Sequence, residues 1–326
     1  MPRDFDISVV IPVFNGANTL RHAVDSVLEQ PEAAEIVIVD DGSADGSPAL
    51  AESIAREHPG KIRAVRHPDG GNHGAGASRN LGIESATCDW IAFLDADDYY
   101  LPGRFRKDAE TLAGDPALDG AYDALGLDLS DDKDDWWRKS GNYQGLVTMA
   151  RAYRPEHLFS HMNPVGIDGS FSTDAIVVHR RIFDKTGCKF SPMKFGEDTL
   201  LWMQMAAVGR LAAASIATPV AMRRVHAGNS IRSNTDRRAT IAAVFAAFRA
   251  WDRFESIGEA NRTAFRQAGI HLARDWHELA EAFRLGNGFA SAAAWRAFLR
   301  WFFIRQFPED PFLPGFMPTA RRRTQR

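Results

Sequence analysis

Three carboxylates crowd the end of one short apolar run. Trp90-Ile91-Ala92-Phe93-Leu94 is too brief for a helix, reads as a buried strand, and is followed at once by Asp95-Ala96-Asp97-Asp98. Like charges this close repel and lose hydration at the edge of a core, so they persist best where a cation offsets them. Oxygen donors favour a hard divalent ion, Mg2+ or Mn2+, whose remaining coordination positions substrate phosphates can fill. The structural alternative is an acidic turn into a helix, with Pro102 at its first position and Asp98 near its cap. A second acidic focus, Glu197-Asp198, opens a helix-like stretch through Val208. The helix dipole favours a carboxylate there, and one such carboxylate could serve as a general base. His226 lies in the basic stretch Arg223-Arg224-Val225-His226-Ala227-Gly228-Asn229-Ser230. It is either a surface residue or the imidazole that a metal site built on Asp97 would accept.

The elements that must position these groups follow a regular pattern. Ile7 to Ile11 is a continuous β-branched run ending at Pro12, the mark of a central parallel strand, and it enters the loop Val13-Phe14-Asn15-Gly16. Leu20, Ala23, Val24, Val27 and Leu28 then recur at helical spacing, with Asn18 or Thr19 as N-cap and Pro31 as the stop. Glu35 to Val39 is a second strand, ending in Asp40-Asp41-Gly42-Ser43, which is also good turn chemistry by itself. A helix from Ser47-Pro48 to about Glu57 follows, then a strand at Lys61 to Arg66. A glycine-rich loop, residues 69–76, leads into a helix carrying Ser78, Arg79 and Asn80. Gly74-Ala75-Gly76 is only a loose match to a dinucleotide fingerprint and follows the third strand, not the first. Arg79 is either a solvated helix residue or a counter-charge for phosphate. Alternating strands and helices predict a doubly wound α/β sheet, whose ligands sit beyond the carboxyl ends of the strands, where Asn15, Asp40-Asp41 and Asp95-Asp97 would meet.

Further along, residues 120–129 read as one strand, and Ser130 to Lys139 as a charged exposed loop. Its adjacent Trp136 and Trp137 either stack on a sugar or pack back on the body. Ala175 to Val178 is a strand, with a short helix from Arg180.

At 326 residues, 45 % hydrophobic and 25 % charged, the chain has ample length for a substantial core. Its formal net charge of -3 argues against general nucleic-acid binding. Two cysteines suggest no disulfide framework and a reducing compartment. No signal-peptide pattern opens the sequence, and no stretch reaches the roughly 18–20 apolar residues of a membrane span. The expectation is a cytoplasmic protein, with peripheral contact at the inner face of the plasma membrane as an option.

Taken together and in order, six segments resemble the family 2 glycosyltransferases, whose nucleotide-sugar-binding fold is called GT-A. They are Val10 to Asn15, Val39 to Ser43, Gly76 to Ile83, Phe93 to Asp98, Gly196-Glu197-Asp198 and Arg224-Val225-His226. The resemblance covers about residues 5 to 232. It implies a Rossmann-like, doubly wound mixed sheet and an inverting enzyme, a hexosyltransferase that moves a sugar from a nucleotide-diphosphate sugar to a glycan or lipid-linked acceptor in polysaccharide assembly. It further implies that Pro12, Val13, Phe14, Asn15, Asp41, Arg79, Asp95 and Glu197 line the nucleotide-sugar site, with Asp41 accepting a base N–H in uridine-binding members. Asp97, with Asp95 and His226, would hold Mn2+ or Mg2+, and Asp198 would be the catalytic base. Residues 187–195 are less acidic than the family pattern, and the Gln-x-x-Arg-Trp motif of processive synthases is missing, so one sugar per binding event is expected. Two alternatives remain: a sugar nucleotidyltransferase, whose Gly-x-Gly-x-x-x-Arg loop is not found after the first strand, and a catalytically silent nucleotide-sugar scaffold.

A catalytic domain is expected at residues 1–235; from about Asp236 the resemblance stops and the alanine-rich, helical period predicts a helical C-terminal region at 236–326. In the latter, Trp295, Phe298, Leu299, Trp301, Phe302, Phe303 and Ile304 surround a helix on all sides. Such a helix must be covered by the catalytic domain, by a second copy in a homodimer, or by a lipid surface with help from Arg321-Arg322-Arg323.

Overall fold

The computed structural model describes residues 5–133, 135–139, 145–234 and 236–269. The chain divides into two compact units, Met1–Phe159 with Ser170–Gly258, and Ser160–Gly169 with Glu259–Arg326. The first carries both sheets. In the second, residues 259–269 are helical. The aromatic stretch from Trp295 and the terminal arginine run lie outside the described residues.

The elements in chain order begin β1 (Ile7–Val13), α1 (Leu20–Leu28), β2 (Ala33–Asp40), α2 (Ser47–Glu57), β3 (Ile62–Arg66), α3 (Ala75–Ser85), β4 (Trp90–Phe93), β5 (Tyr99–Tyr100) and α4 (Arg106–Gly114). They continue β6 (Gly120–Tyr122), β7 (Ala124–Asp128), α5 (Trp136–Lys139), β8 (Leu146–Val147), α6 (Pro155–His161), β9 (Ile176–His179), α7 (Arg181–Thr186), α8 (Glu197–Val208), β10 (Leu211–Ala213), β11 (Pro219–Arg224) and α9 (Arg237–Arg249).

Seven strands form one sheet in the order β10-β6-β9-β4-β1-β2-β3, and four form a second in the order β5-β11-β7-β8. The strand β1 is parallel to β2 on one side and to β4 on the other, while β9 runs antiparallel to β4 and β6. The sheet is therefore mixed, and its order reverses beside β1, the position where open α/β sheets bind ligands. Every residue of β1 is buried, which explains its unbroken β-branched sequence. Pro12 is tolerated in this central strand for a local reason. Val10 accepts from Leu94 N at 3.0 Å, so Pro12, two residues on, turns its missing N–H to the same side. The ladder with β4 has already ended there, at Val10 and Phe93.

Gly82 lets α3 lie directly on β1, because a Cβ there would stand 2.2 Å from Val10 Cγ1. That close approach sets the height of Arg79 above the sheet.

Two sequence expectations change. Residues 120–129 are not one strand: the chain bends at Asp123, with β6 in the larger sheet and β7 in the smaller. The buried Asp123 carboxylate accepts from Arg104 Nη1 at 2.9 Å and Ser215 N at 2.7 Å, while its own N–H bonds Ala175 O at 2.8 Å. These bonds replace a straight ladder. Nor does a helix start at Pro102. Tyr99-Tyr100 join β11, Gly103 turns at φ +74°, and the helix begins at Arg106.

Candidate active site

The acidic turn hangs from the end of β4 and is held from three directions. Asp95 N donates to Asp174 Oδ1 at 2.8 Å, and Asp98 N donates to Asp95 O at 3.0 Å. Asp98 Oδ1 accepts from Arg224 N at 2.8 Å, at the end of β11. Asp97 Oδ2 receives His226 Nε2 at 2.9 Å and Asn229 Nδ2 at 3.2 Å. Asn229 also accepts from His226 N at 2.7 Å through its Oδ1, so it shapes the loop that presents the imidazole. One carboxylate oxygen each from Asp95, Asp97 and Asp98 lies within 4.8 Å of the others.

Electrostatics in the turn are strongly perturbed. Burial alone would raise the Asp97 carboxyl, but the hydrogen bond and charge of His226 outweigh it and hold the group below its ordinary range. The same hydrogen bond raises the His226 imidazole. Asp98 is 2 % exposed, and burial with the charges of Asp174 and Asp97 pushes it well up. Asp174, fully buried, is pushed up to about 6 by burial and the Asp95 charge, against Arg223.

The second acidic focus begins at Gly196, which adopts φ +82° before Glu197 and Asp198 enter the first turn of α8. A Cβ at Gly196 would sit 2.7 Å from Val244 Cγ2 of α9, so close packing as well as the left-handed turn calls for glycine. Asp198 Oδ1 accepts from Thr199 N at 2.6 Å. Burial and the Asp198 charge push Glu197 up to about 7, against Arg79.

Arg79 joins the two foci. Its guanidinium reaches Asp95 Oδ1 at 2.5 Å and Glu197 Oε1 at 3.4 Å and lies over the Phe190 ring at 5.3 Å. Burial disfavours its charge, yet Asp95 and Glu197 more than compensate and raise it. Arg79 is thus engaged with carboxylates, not free in solvent.

The loop after β1 meets the loop after β2. Asn15, at φ +52°, accepts from Ala44 N at 2.8 Å, and its own N–H bonds Ser43 Oγ at 2.9 Å. Phe14 beside it is 53 % exposed, the exposed large apolar side chain among the described residues. Pro12 and Val13 stay in the buried strand. Asp41 is 3 % exposed. Its carboxylate accepts from His73 N at 2.8 Å and Gly74 N at 2.9 Å, clamping the glycine-rich loop.

The structure thus brings Asp95, Asp97 and His226 together and ties Glu197, next to Asp198, to Asp95 through Arg79. Sequence reasoning missed Asp174, Arg223 and Asn229. Of the two tryptophans, Trp137 is 3 % exposed and Trp136 is half-buried beneath the Arg232 guanidinium at 5.0 Å.

The family model described as Glycosyl transferase family 2 matches residues 8–173, just over half of the chain. The chain belongs to glycosyl transferase family 2. Among curated relatives in this family, the succinoglycan biosynthesis protein ExoO of Rhizobium meliloti is 29 % identical over 213 residues, 63 % of this chain and 56 % of that protein. ExoU, of the same organism and also described as a succinoglycan biosynthesis protein, is 41 % identical over 99 residues, covering 30 % of this chain and 28 % of ExoU. The chain thus spans from about a quarter to just over half the length of these two relatives. Two solved structures share the fold. S. aureus TarS 1–349 in complex with UDP-GlcNAc aligns with a TM-score of 0.59 at 17 % identity, covering 81 % of this chain and 71 % of that one. The mannosyltransferase PcManGT of Pyrobaculum calidifontis, in complex with GDP-Man and Mn2+, aligns with a TM-score of 0.59 at 19 % identity, covering 93 % and 81 %. This family 2 chain therefore has the GT-A architecture that its sequence motifs imply.

Proposed function

We propose that this chain is an inverting glycosyltransferase that moves one sugar from a nucleoside-diphosphate sugar, a UDP-sugar by preference, to a hydroxyl of a glycan or lipid-linked acceptor. The observation that carries the reading is the pairing of two acidic foci across one buried arginine: Asp95 and Asp97 on one side, Glu197 and Asp198 on the other. The donor set fits a divalent cation such as Mn2+ or Mg2+. Three carboxylate oxygens within 4.8 Å are joined by an imidazole 2.9 Å from Asp97. Asp95 and Asp97 offer carboxylate oxygens and His226 an imidazole nitrogen, a donor set that suits a divalent ion with open positions for substrate. Asp97, Asp95 and His226 would hold it. A bound divalent ion offsets the negative charge that gathers on a departing diphosphate.

The chain's own groups do the rest. The Pro12 to Asn15 loop presents Phe14 as a face for a nucleobase, and Asp41 holds the glycine-rich loop that would border it. Arg79 fixes Asp95 and Glu197 relative to each other. Asp198, in the first turn of α8, takes the proton of the acceptor hydroxyl as that oxygen attacks the anomeric carbon from the face opposite the leaving group. A single displacement needs one such base, so no second carboxylate nucleophile is required. ExoO and ExoU carry succinoglycan biosynthesis in their names, which supports polysaccharide assembly as the setting. A lipid-linked acceptor would suit peripheral membrane contact through residues 236–326, with intramolecular packing or a homodimer as the other roles for that region. Among the described residues, no helix is long and apolar enough to cross a membrane.

The test is calorimetric titration of the full chain with UDP, GDP, dTDP and their sugars, with and without Mn2+, followed by donor turnover in wild type and Asp198→Asn. Metal-dependent binding of one nucleotide, with Asp198→Asn binding the donor normally but turning it over at least about 100-fold more slowly, is expected. Donor binding without turnover in wild type, across a panel of glycan and lipid-linked acceptors, would favour the silent scaffold. Near-normal turnover by Asp198→Asn would remove the base assignment.

A further inference from the structure

Beneath the acidic turn lies a second layer of charge that the mechanism above does not use. Asp174 sits in the short turn Thr173–Ala175 that leads into β9, one residue past the stretch matched by the family model, and is fully buried. Its Oδ1 accepts the Asp95 N–H at 2.8 Å and its Oδ2 faces Ser172 Oγ at 3.4 Å. Arg223, on β11, donates through Nη2 to Ser172 Oγ at 3.0 Å and stands 3.8 Å from Asp174 Oδ2. Its Nε is 3.8 Å from Asp98 Oδ2. The next residue, Arg224, gives its N–H to Asp98 Oδ1 at 2.8 Å.

We propose that Asp174 and Arg223 are positioning residues: through the Asp95 N–H and the Asp98 carboxylate they set the conformation in which the turn presents Asp95 and Asp97 to a divalent cation. This rests on the metal-dependent reading above. The argument is one of economy. An apolar filler would occupy the space under the turn with no charge to desolvate, so a buried carboxylate there is better explained by what it orients than by what it stabilises. Through Oδ1 Asp174 holds a backbone N–H, so it fixes the main chain between β4 and the carboxylates. Arg223 stands 3.8 Å from both Asp174 and Asp98, which ties the segment before β9 to the acidic turn. Groups that orient metal ligands through one intervening contact typically change metal affinity 10- to 100-fold when removed.

The experiment is Mn2+ titration of the full-length chain without donor, read from the loss of the free Mn2+ spin-resonance signal, at a temperature where each variant is folded by circular dichroism. Asp174→Ala and Arg223→Met are expected to weaken Mn2+ binding about tenfold or more. Asp174→Asn, which keeps an oxygen for the Asp95 N–H, is expected to lose clearly less than Asp174→Ala. Arg223→Lys, which keeps the charge, serves if Arg223→Met does not fold. Asp97→Asn in the same assay separates the two ideas. If wild type binds no Mn2+ either alone or with UDP, GDP or dTDP present, or Asp97→Asn binds as wild type does, the metal reading falls and the positioning role falls with it. If Asp97→Asn loses binding while folded Asp174→Ala and Arg223→Met bind like wild type, the positioning role alone is overturned. Asp174→Asn as weak as Asp174→Ala would overturn the part assigned to the Asp95 N–H.

Discussion

Arg79→Met removes the cation that stands between the two acidic foci. The residue is 5 % exposed, 2.5 Å from Asp95 and 3.4 Å from Glu197. Methionine has a comparable apolar stem to lay over Phe190, so the loss is mainly of charge. Removing one partner of a buried ion pair costs about 3–5 kcal/mol, because the remaining charge stays desolvated. The Asp95 side chain is 30 % exposed and water screens part of its contribution, which places the expectation at the lower end, about 3 kcal/mol. In a unit of this size each kcal/mol shifts the melting temperature by about 2–4 °C, so a fall of about 6–12 °C is expected. Adding Asp95→Asn to Arg79→Met removes the carboxylate left without its close cationic partner and should recover about half of the loss. The assay is thermal unfolding followed by circular dichroism, without nucleotide or metal, so that a ligand-binding role of Arg79 does not enter. A melting temperature within about 2 °C of wild type, or no recovery in the double variant, would refute the idea that this guanidinium holds the foci together.

Gly82→Ala places a methyl 2.2 Å from Val10 Cγ1 and should cost about 1–3 kcal/mol by lifting α3 from β1. Its denaturant midpoint checks this, and Val10→Ala in the same chain should restore part of it; an unchanged midpoint in Gly82→Ala would count against the packing account. Asp119 gives a pH-dependent case remote from the site. It is fully buried, pairs with Arg181 at 2.8 Å and Lys185 at 2.7 Å, and accepts from Arg210 N at 2.9 Å. Burial would raise its carboxyl, but these partners hold it below its ordinary value of 3.8. A depressed carboxyl contributes its full stability above the unfolded value and loses it as pH falls through the folded one. Asp119→Asn should therefore melt lower than wild type at pH 7, and the gap should close as pH drops below 3.8. A gap of constant size from pH 7 to pH 3 would contradict the linkage.

The parallel core and the acidic turn were legible because each is written locally. The β-branched run of β1 and the apolar run before Asp95 announce buried strands, and Pro48 and Pro31 punctuate the helices between them. The helix from Glu197 to Val208 fell where its first-turn carboxylates placed it. What was not legible depends on partners far along the chain. Nothing near Asp123 signals that Arg104 and Ser215 will bend the strand there, and nothing near Tyr99 signals a partner at Met222. Asp174 reads locally as a polar turn before a β-branched run, and only its bond to Asp95, 79 positions away, reveals more. Asn229 did carry a faint signal, since an asparagine three residues after His226 in a glycine-containing loop suits a side chain bonding the backbone.

The same long reach has a consequence in time. β1, β2, β3 and β4 complete their parallel pairing within the first hundred residues, through connections short enough to close early in synthesis. The groups that restrain the acidic turn arrive much later: Asp174 for Asp95, Arg224 for Asp98, His226 and Asn229 for Asp97. Until β11 docks beside β5, the growing chain carries three adjacent carboxylates without the partners that β11 and the loop after it supply. The chain thus supplies the parallel strands beside the acidic turn well before it supplies the groups that hold that turn.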